Sequence, residues 1–294
     1  MQGDQDQAVI IGNGAIGTAL YHRLLGLGLT VGFVTRQGPV AWDAHFAGTP
    51  AIAAPCIEPS SARVVLAVVA VKAFDLESAL AWTMQLPPGA VVWPLSNGAV
   101  TEIVLAAAQR RPDLQWRLGY CTFGVTAIGA SSYQAGSAGG ELGIGPLHGA
   151  DGPSPLEQGW IAREPLFRWH PRVIWMHRRK WLFNTVINTL AAARRLPTNG
   201  LLLGDLPMLA AVFNEALALG QQLWGPWPLP REELYAALLQ LTSATAGNEN
   251  SMARDVRLAR RTESLFLAGL ANDQRAYPLL TSLHQQIIQG HEHD

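Results

Sequence analysis

A glycine motif near the N-terminus restricts the fold of this chain more than any other feature. Residues 8–11 are all apolar, as in a buried parallel strand, and residues 18–25 have the apolar spacing of a helix. The motif between them follows the pattern Gly-x-Gly-x-x-Gly and consists of Gly12, Asn13, Gly14, Ala15, Ile16 and Gly17. A strand, a tight turn and a helix N-terminus in this order predict a site for the phosphates of a dinucleotide. The alternative is an ordinary glycine-rich turn.

The end of the second predicted strand indicates which dinucleotide is bound. Residues 30–34 form this strand, and in an NAD-binding unit an acidic residue would end it and accept the ribose hydroxyls. Here Thr35 and Arg36 follow the strand instead. A guanidinium group can bond a 2′-phosphate through two N–H groups, so we expect NADP(H) rather than NAD(H). The alternative is that Arg36 is a solvated surface residue.

Two further apolar segments are followed by polar residues. Residues 64–71 and 91–95 are predicted strands, and Lys72 and Asn97 follow them. Ligands of doubly wound sheets bind beyond the carboxyl ends of the strands, so we expect both residues to contact the cofactor or the substrate. Alternatively, each is a turn residue at a strand end. Later glycine-rich segments, 120–128 and 141–145, predict an antiparallel extension of the sheet.

Composition and charge narrow the class of protein. A net charge of −1 gives no general attraction to nucleic acid or to an anionic membrane, and the longest apolar run is far too short to cross a bilayer. Cys56 and Cys121 make no disulfide framework, which favours a reducing cytoplasm. The histidines show no convincing metal-ligand spacing, so we predict no metal site.

The length of 294 residues favours two domains. We predict an α/β NADP-binding domain of the Rossmann type over residues 1–167 and an all-α substrate and catalytic domain over residues 168–294. In the second domain the apolar spacing predicts helices over residues 179–192, 206–223, 231–242 and 252–269. A helical domain behind a dinucleotide domain usually supplies the substrate half of the site.

The first of these helices carries polar residues on an otherwise apolar sequence. Lys180, Asn184 and Asn188 are spaced at i, i+4 and i+8, so they share one helix face. A cation and two amides are costly to bury without polar partners. Two interpretations meet this requirement: a cleft that holds a polar ligand, or a buried polar network between helices.

Taken together, these motifs resemble the ketopantoate reductase (2-dehydropantoate 2-reductase) family over nearly the whole chain. In order, they are the glycine motif, Val71-Lys72-Ala73, Ser96-Asn97-Gly98, Lys180-x3-Asn184-x3-Asn188, Asn248-Glu249-Asn250-Ser251-Met252-x2-Asp255-Val256 and Arg260-Arg261-Thr262-Glu263. The glycine motif is general to Rossmann proteins. The Lys-Asn-Asn face and the last two segments are distinctive of the family.

The resemblance implies an oxidoreductase that uses NADPH to reduce 2-dehydropantoate (ketopantoate) to pantoate, on the route to pantothenate and coenzyme A. Lys180 would be the general acid that protonates the ketone oxygen, and Glu263 would support the lysine and the substrate. Arg36 would bind the 2′-phosphate of the cofactor, with Lys72 and Asn97 also at the cofactor. A general acid suits this reaction because ketone reduction places negative charge on oxygen.

The resemblance also implies a set of residues that bind a small 2-keto acid: Asn184, Asn188, Asn199, Asn248 and Ser251. The first two would hold the hydroxyl and keto groups, and the last two would bind the carboxylate side. The spacing from Asn188 to Asn199 is one residue longer than in the family. Sequence alone is compatible with a monomer or a homodimer.

Two departures from the family pattern affect the predicted substrate. Thr262 and Glu263 are followed by Ser264 and Leu265 where the family has Ile-Asp, and Ala268 replaces the asparagine of Asn-Gly. On a straight helix Ser251 and Glu263 would also lie about 18 Å apart, too far to touch one small substrate.

Two alternatives to ketopantoate reduction remain. One is a related NAD(P)-dependent 2-hydroxyacid dehydrogenase that acts on another 2-keto acid, and the other is a non-catalytic NADPH-binding sensor.

Overall fold

The computed structural model describes residues 5–49, 52–129, 132–135, 139–149 and 151–289. These residues form two compact units, and the boundary between the units lies between His177 and Arg178. We call them unit 1 and unit 2 and describe each by itself. The predicted domain division after residue 167 stays a prediction, because a compact unit is not by itself a domain.

The described residues of unit 1 form two β-sheets. In chain order its described strands are β1 (Gln7–Ile11), β2 (Thr30–Thr35), β3 (Gly38–Val40), β4 (Trp42–Phe46), β5 (Ile52–Ala54), β6 (Val64–Val69), β7 (Val91–Pro94), β8 (Gln115–Cys121), β9 (Val125–Gly129), β10 (Ser132–Ala135), β11 (Leu142–Pro146) and β12 (Phe167–Trp169). The larger sheet has the order β12-β11-β8-β7-β6-β1-β2-β3, and the smaller has the order β5-β4-β10-β9. Strands β8, β7, β6, β1 and β2 run parallel, so the larger sheet has a parallel centre.

The described helices follow the strands in unit 1 and dominate unit 2. They are α1 (Ala15–Gly26), α2 (Leu76–Leu80), α3 (Thr101–Arg110), α4 (Pro155–Arg163), α5 (Val173–Ala193), α6 (Leu206–Trp224), α7 (Arg231–Ala244), α8 (Ser251–Arg257) and α9 (Pro278–Gln289). Short 3-10 helices cover Ala73–Asp75, Ala81–Gln85, Asn199–Gly204, Ser264–Phe266 and Ala268–Leu270. This arrangement confirms the predicted fold class, an α/β sheet domain followed by a helical domain.

The core of unit 1 explains the apolar strand segments. Every residue of β1 is buried, as expected for a central strand whose two faces are both covered. Helix α1 contacts β1 and β2 of the larger sheet and also β4, β9 and β10 of the smaller one. The ring of Tyr21 on α1 lies 5.3 Å from that of Phe33 on β2. Helix α1 is therefore covered by a second layer that the sequence pattern did not predict.

A buried ion pair connects β8 to α4. The guanidinium of Arg117 donates two hydrogen bonds to Glu157 Oε2, at 2.7 and 3.2 Å, and one to Oε1 at 3.0 Å. Glu157 also completes a capping box with Ser154 and accepts a hydrogen bond from the Trp93 indole. Burial alone would raise the pKa of Glu157, but the hydrogen bonds from Arg117 and the Ser154 backbone together lower it below its ordinary value.

Unit 2 is built around helix α6. This helix contacts α7 and α9, and Glu215 on α6 accepts the backbone N–H groups of Leu279 and Leu280 at the start of α9. The indole rings of Trp181 and Trp224 meet edge to face, with centroids 4.7 Å apart. Within the described ranges, no helix combines the length and the apolar character needed to span a membrane.

Two predictions about secondary structure need correction. The helix predicted over residues 252–269 is wrong, because α8 ends at Arg257 and Ala259 then takes a positive φ of 48°. The strand predicted over residues 64–71 ends at Val69 instead. The predicted antiparallel extension is confirmed for β11, which pairs with β8, whereas β9 belongs to the smaller sheet.

We expect Arg117→Met to destabilise the protein by about 3 kcal/mol at neutral pH, because it leaves a buried carboxylate without its guanidinium. The pKa of Glu157 should then rise above its unfolded value. In the variant, stability should therefore be lost as the pH rises through that raised pKa, whereas wild type loses stability as the pH falls through its lowered one. Urea unfolding across acidic and neutral pH measures both effects.

The control is the double variant Arg117→Met with Glu157→Leu, which removes both charges. It should recover much of the lost stability, because no unpaired charge remains buried. A single variant as stable as wild type at every pH would contradict the assigned role of this ion pair.

Candidate active site

The glycine loop follows β1 directly and is held by close backbone packing. Gly12 has a φ of 110°, and a Cβ at this position would lie 2.6 Å from the carbonyl oxygen of Ala70. A Cβ at Gly17 would lie 2.1 Å from the carbonyl oxygen of Gly12. The Gly12 N–H donates to the carbonyl of Val34 at 2.9 Å, which attaches the loop to β2. Both glycines are therefore required by packing.

Gly14 differs from the other two because it is exposed and faces open space. A Cβ at Gly14 would meet no atom of another described segment within 4 Å. Gly14 is the N-cap of α1, where no side chain caps the helix and the first turn carries no acidic residue. The first amides of α1, which include those of Ala15 and Ile16, thus have room for an anion in front of them. The loop fits the phosphates of a dinucleotide.

A cleft of about 800 Å³ lies beside this loop. Gly12, Asn13 and Arg36 line it, so three of the predicted cofactor residues share one cavity. The sequence pattern did not identify Trp42 and Trp82, which also line the cleft. Aromatic residues are too common in protein cores for these two to be recognised from sequence. Their rings provide flat apolar surface of the kind that an adenine base can stack on.

Arg36 lies just after β2 and forms an ion pair with Asp75. Its side chain is 76% exposed, whereas that of Asp75 is 24% exposed. Asp75 ends the 3-10 helix Ala73–Asp75, which follows β6, and its side chain also lines the cleft. Sequence reasoning assigned no role to this residue, although it lies only three positions after Lys72.

Lys72 and Asn97 lie on adjacent loops beyond β6 and β7. The Ser96 hydroxyl donates to the carbonyl oxygen of Val71 at 2.7 Å and so connects the two loops. The His177 Nε2 atom lies 3.2 Å from the carbonyl oxygen of Ser96. Lys72 and Asn97 are both half-buried, and both lie outside the described lining of the cleft beside the glycine loop.

In unit 2, the polar face predicted from the sequence lies on one continuous helix. Lys180, Asn184 and Asn188 all belong to α5, at steps of about 6 Å along its axis. Lys180 and Asn184 are half-buried, and Asn188 is 9% exposed. Their immediate neighbours Trp181 and Thr185 are buried. The three polar groups therefore form a row on a largely buried helix.

The segment that contains Glu263 is attached to this helix beside Lys180. The indole Nε1–H of Trp181 donates to the carbonyl oxygen of Phe266 at 3.1 Å, and the Phe266 N–H donates to the carbonyl of Glu263 at 2.9 Å. Glu263 is 5% exposed and precedes the 3-10 helix Ser264–Phe266. Because α8 has already ended at Arg257, the separation expected for a straight helix does not apply.

Asn199 lies in a network of hydrogen bonds within unit 2. Its side-chain Nδ2 donates to Thr245 Oγ1 at 3.2 Å, and its side-chain Oδ1 accepts from Asn250 Nδ2 at 3.0 Å. Its backbone N–H donates to the carbonyl of Asn248 at 3.0 Å. Asn250 is in turn the N-cap of α8 and accepts the N–H of Ala253. Asn199 thus braces the loop that leads into α8.

Asn248 and Ser251 lie on either side of this N-cap, and both are exposed. Ser251 is the first residue of α8. Asn250, for which sequence reasoning predicted no role, caps α8 between them and bonds to Asn199. An asparagine directly before the first residue of a helix is a capping signal that could have identified it.

Two family models match the chain. The model described as "Ketopantoate reductase PanE/ApbA" matches residues 8–149, and the model of its C-terminal part matches residues 172–273. Together they cover most of the chain. The protein belongs to the ketopantoate reductase family. This finding confirms the resemblance seen in the sequence and makes the chain a member of a family of oxidoreductases.

Solved structures of this family have the same fold. A PanE/ApbA family ketopantoate reductase from Ralstonia eutropha JMP134 is 18% identical, with a TM-score of 0.77 over 97% of this chain and 99% of that one. The 2-dehydropantoate 2-reductase from Methylococcus capsulatus is 18% identical, with a TM-score of 0.74 over 96% of each chain.

A structure named for another substrate is equally similar. D-mandelate dehydrogenase, solved with NADH and anilino(oxo)acetate, is 18% identical, with a TM-score of 0.76 over 97% of this chain and 98% of that one. At this identity the likeness shows the fold alone. No curated protein sequence matches the chain.

Substitutions in the glycine loop can distinguish glycines needed for packing from a glycine needed for ligand binding. Gly14→Ser should leave the unfolding temperature within about 2 °C of wild type, since serine is a favourable N-cap, but should weaken NADPH binding by about tenfold or more. Gly12→Ala should instead destabilise the fold by at least about 2 kcal/mol, because of its positive φ and the close carbonyl. Thermal unfolding and a fluorescence titration with NADPH measure the two effects. Unchanged NADPH affinity in Gly14→Ser would exclude phosphate binding at this residue.

Proposed function

We propose that this protein uses NADPH to reduce 2-dehydropantoate (ketopantoate) to pantoate, in the cytoplasmic supply of pantothenate and coenzyme A. The observation that carries this proposal is the row of Lys180, Asn184 and Asn188 on α5, together with the attachment of the Glu263 segment to the same helix through Trp181. A lysine can donate a proton to the ketone oxygen, and amides and a carboxylate can orient a polar keto acid and the lysine.

The cofactor side of the proposal rests on unit 1. The uncapped N-terminus of α1 would hold the pyrophosphate, with Gly14 leaving room for it. Arg36 would bind the 2′-phosphate, and Lys72 and Asn97 would contact the cofactor from the loops after β6 and β7. When bound, the nicotinamide ring supplies the hydride for the keto carbon.

The protein's own residues would provide the proton and the orientation. As the hydride reaches the keto carbon, negative charge develops on the ketone oxygen, and the Lys180 ammonium would stabilise that charge and donate its proton there. Asn184 and Asn188 would donate hydrogen bonds to the keto and hydroxyl groups and so orient the substrate. Glu263 is buried, and its carboxylate would support Lys180 and the substrate.

The carboxylate side of the substrate would be bound next to α8. Asn248 and Ser251 are exposed on either side of its N-cap and can donate hydrogen bonds to an anion. A direct substrate contact by Asn199 stays a prediction. Its hydrogen bonds to Thr245 and Asn250 support a second role, which is to hold the loop in place.

One observation favours a second candidate, the reduction of a different 2-keto acid. Ser264 and Leu265 replace the family's usual residues directly after Glu263, and the Leu265 side chain is 54% exposed. This change leaves Lys180 and Glu263 intact. It would therefore change which 2-keto acid side chain the site accepts and leave the reaction itself unchanged.

The test follows NADPH absorbance with a panel of 2-keto acids that includes ketopantoate. Lys180→Ala should lower kcat by about 10²- to 10⁴-fold, as expected for loss of a general acid. Lys180→Arg is the matched control, because it keeps the positive charge but scarcely gives up a proton at neutral pH. It should bind substrate with a KM close to that of wild type while kcat stays low.

The outcomes separate the candidates. Fast turnover with ketopantoate supports the proposed substrate, whereas turnover with another keto acid alone supports the second candidate. NADPH binding without turnover on any keto acid would contradict both and would favour a sensor. A Lys180→Ala variant with undiminished kcat would remove the lysine from the proton-donor role.

A further inference from the structure

The Arg36–Asp75 pair lies where the adenosine half of a dinucleotide would bind. Arg36 follows β2 and Asp75 follows β6, and these strands flank β1 in the sheet. The pair therefore bridges the loops on either side of the glycine loop, and both side chains line the same cleft as Gly12 and Asn13. Ligands at the carboxyl ends of parallel strands meet both loops.

The pair is arranged so that it can separate. The Arg36 side chain is 76% exposed and that of Asp75 24% exposed, and an ion pair whose cation is solvated gains little from its charge interaction. Asp75 occupies the N-cap position of α2 without accepting a capping hydrogen bond through its side chain. The start of α2 therefore does not depend on this carboxylate, and the exposed Arg36 guanidinium has room to turn towards another anion.

The Asp75 carboxylate would change the affinities for NADPH and NADH in opposite directions. A 2′-phosphate bound by Arg36 would come close to the Asp75 carboxylate, and two anions near one guanidinium repel each other. A free ribose 2′-hydroxyl would instead donate a hydrogen bond to the carboxylate, as it does to the acidic residue of NAD-binding units. Asp75, in the segment after β6, would supply the acidic group that is missing after β2.

We infer that Asp75 determines the cofactor preference of this protein by lowering its selectivity for NADPH, so that NADH also binds. This inference rests on the proposed function, because it concerns the cofactor of the same reaction. The opposite role is that Asp75 holds Arg36 in the orientation that a 2′-phosphate needs. The two roles predict changes of opposite sign when the carboxylate is neutralised.

The experiment measures the dissociation constants of NADPH and NADH by titration of tryptophan fluorescence, for wild type, Asp75→Asn and Glu77→Gln. Glu77 is the matched control, because it is exposed, lies two residues away and carries the same charge outside the cleft lining. We expect Asp75→Asn to shift the affinity ratio towards NADPH by about threefold to tenfold. Glu77→Gln should leave the ratio within about twofold of wild type, since its charge is screened by solvent.

Two further measurements complete the test. Arg36→Ala should shift the ratio towards NADH, because it removes the cation that binds the 2′-phosphate. Thermal unfolding of Asp75→Asn should match wild type, since its carboxylate caps no helix.

The outcomes distinguish this inference from the proposed function. If Asp75→Asn leaves the ratio unchanged or shifts it towards NADH, the inference is overturned while the cofactor assignment stands. An equal shift in Glu77→Gln also overturns it, because general charge would then be the cause. If wild type binds neither cofactor, both the inference and the proposed function fail.

Discussion

The close approach of α1 to the end of β1 is the constraint on which the rest of unit 1 depends. A Cβ at Gly17 would overlap the carbonyl oxygen of Gly12, so the helix can begin at this distance only with glycine there. The same approach aims the uncapped amides of α1 at the open space beside Gly14. One steric requirement thus determines both the packing of the helix and the place where an anion can bind.

Two ion pairs of similar chemistry have opposite consequences because their burial differs. The Arg117–Glu157 pair is buried and hydrogen-bonded, so loss of Arg117 alone would leave the buried Glu157 carboxylate without its partner. The Arg36–Asp75 pair lies on a cleft wall, where the arginine side chain is largely solvated. Its guanidinium is therefore accessible to a competing anion. Burial makes the first pair a structural element and leaves the second available for recognition.

In unit 2, hydrogen bonds position groups that lie far apart in the chain. Trp181 attaches the Glu263 turn to α5, and Asn250 joins Asn199 to the start of α8. Neither residue carries a charge. Trp181 donates its indole N–H to a backbone carbonyl, and Asn250 bonds through its side-chain amide. A residue of this kind controls where the proposed catalytic and substrate-binding groups lie without touching the substrate itself.

The sequence by itself determined the α/β and helical halves, the glycine loop and the face of Lys180, Asn184 and Asn188, because each depends on local spacing. It could not determine the smaller sheet or the end of α8 at Arg257, since these depend on strand pairing and on a turn at Ala259. Asp75 lies beside Arg36 because β6 and β2 both pair with β1. Contacts between distant segments are decided by tertiary packing, because no local pattern encodes which loops become neighbours.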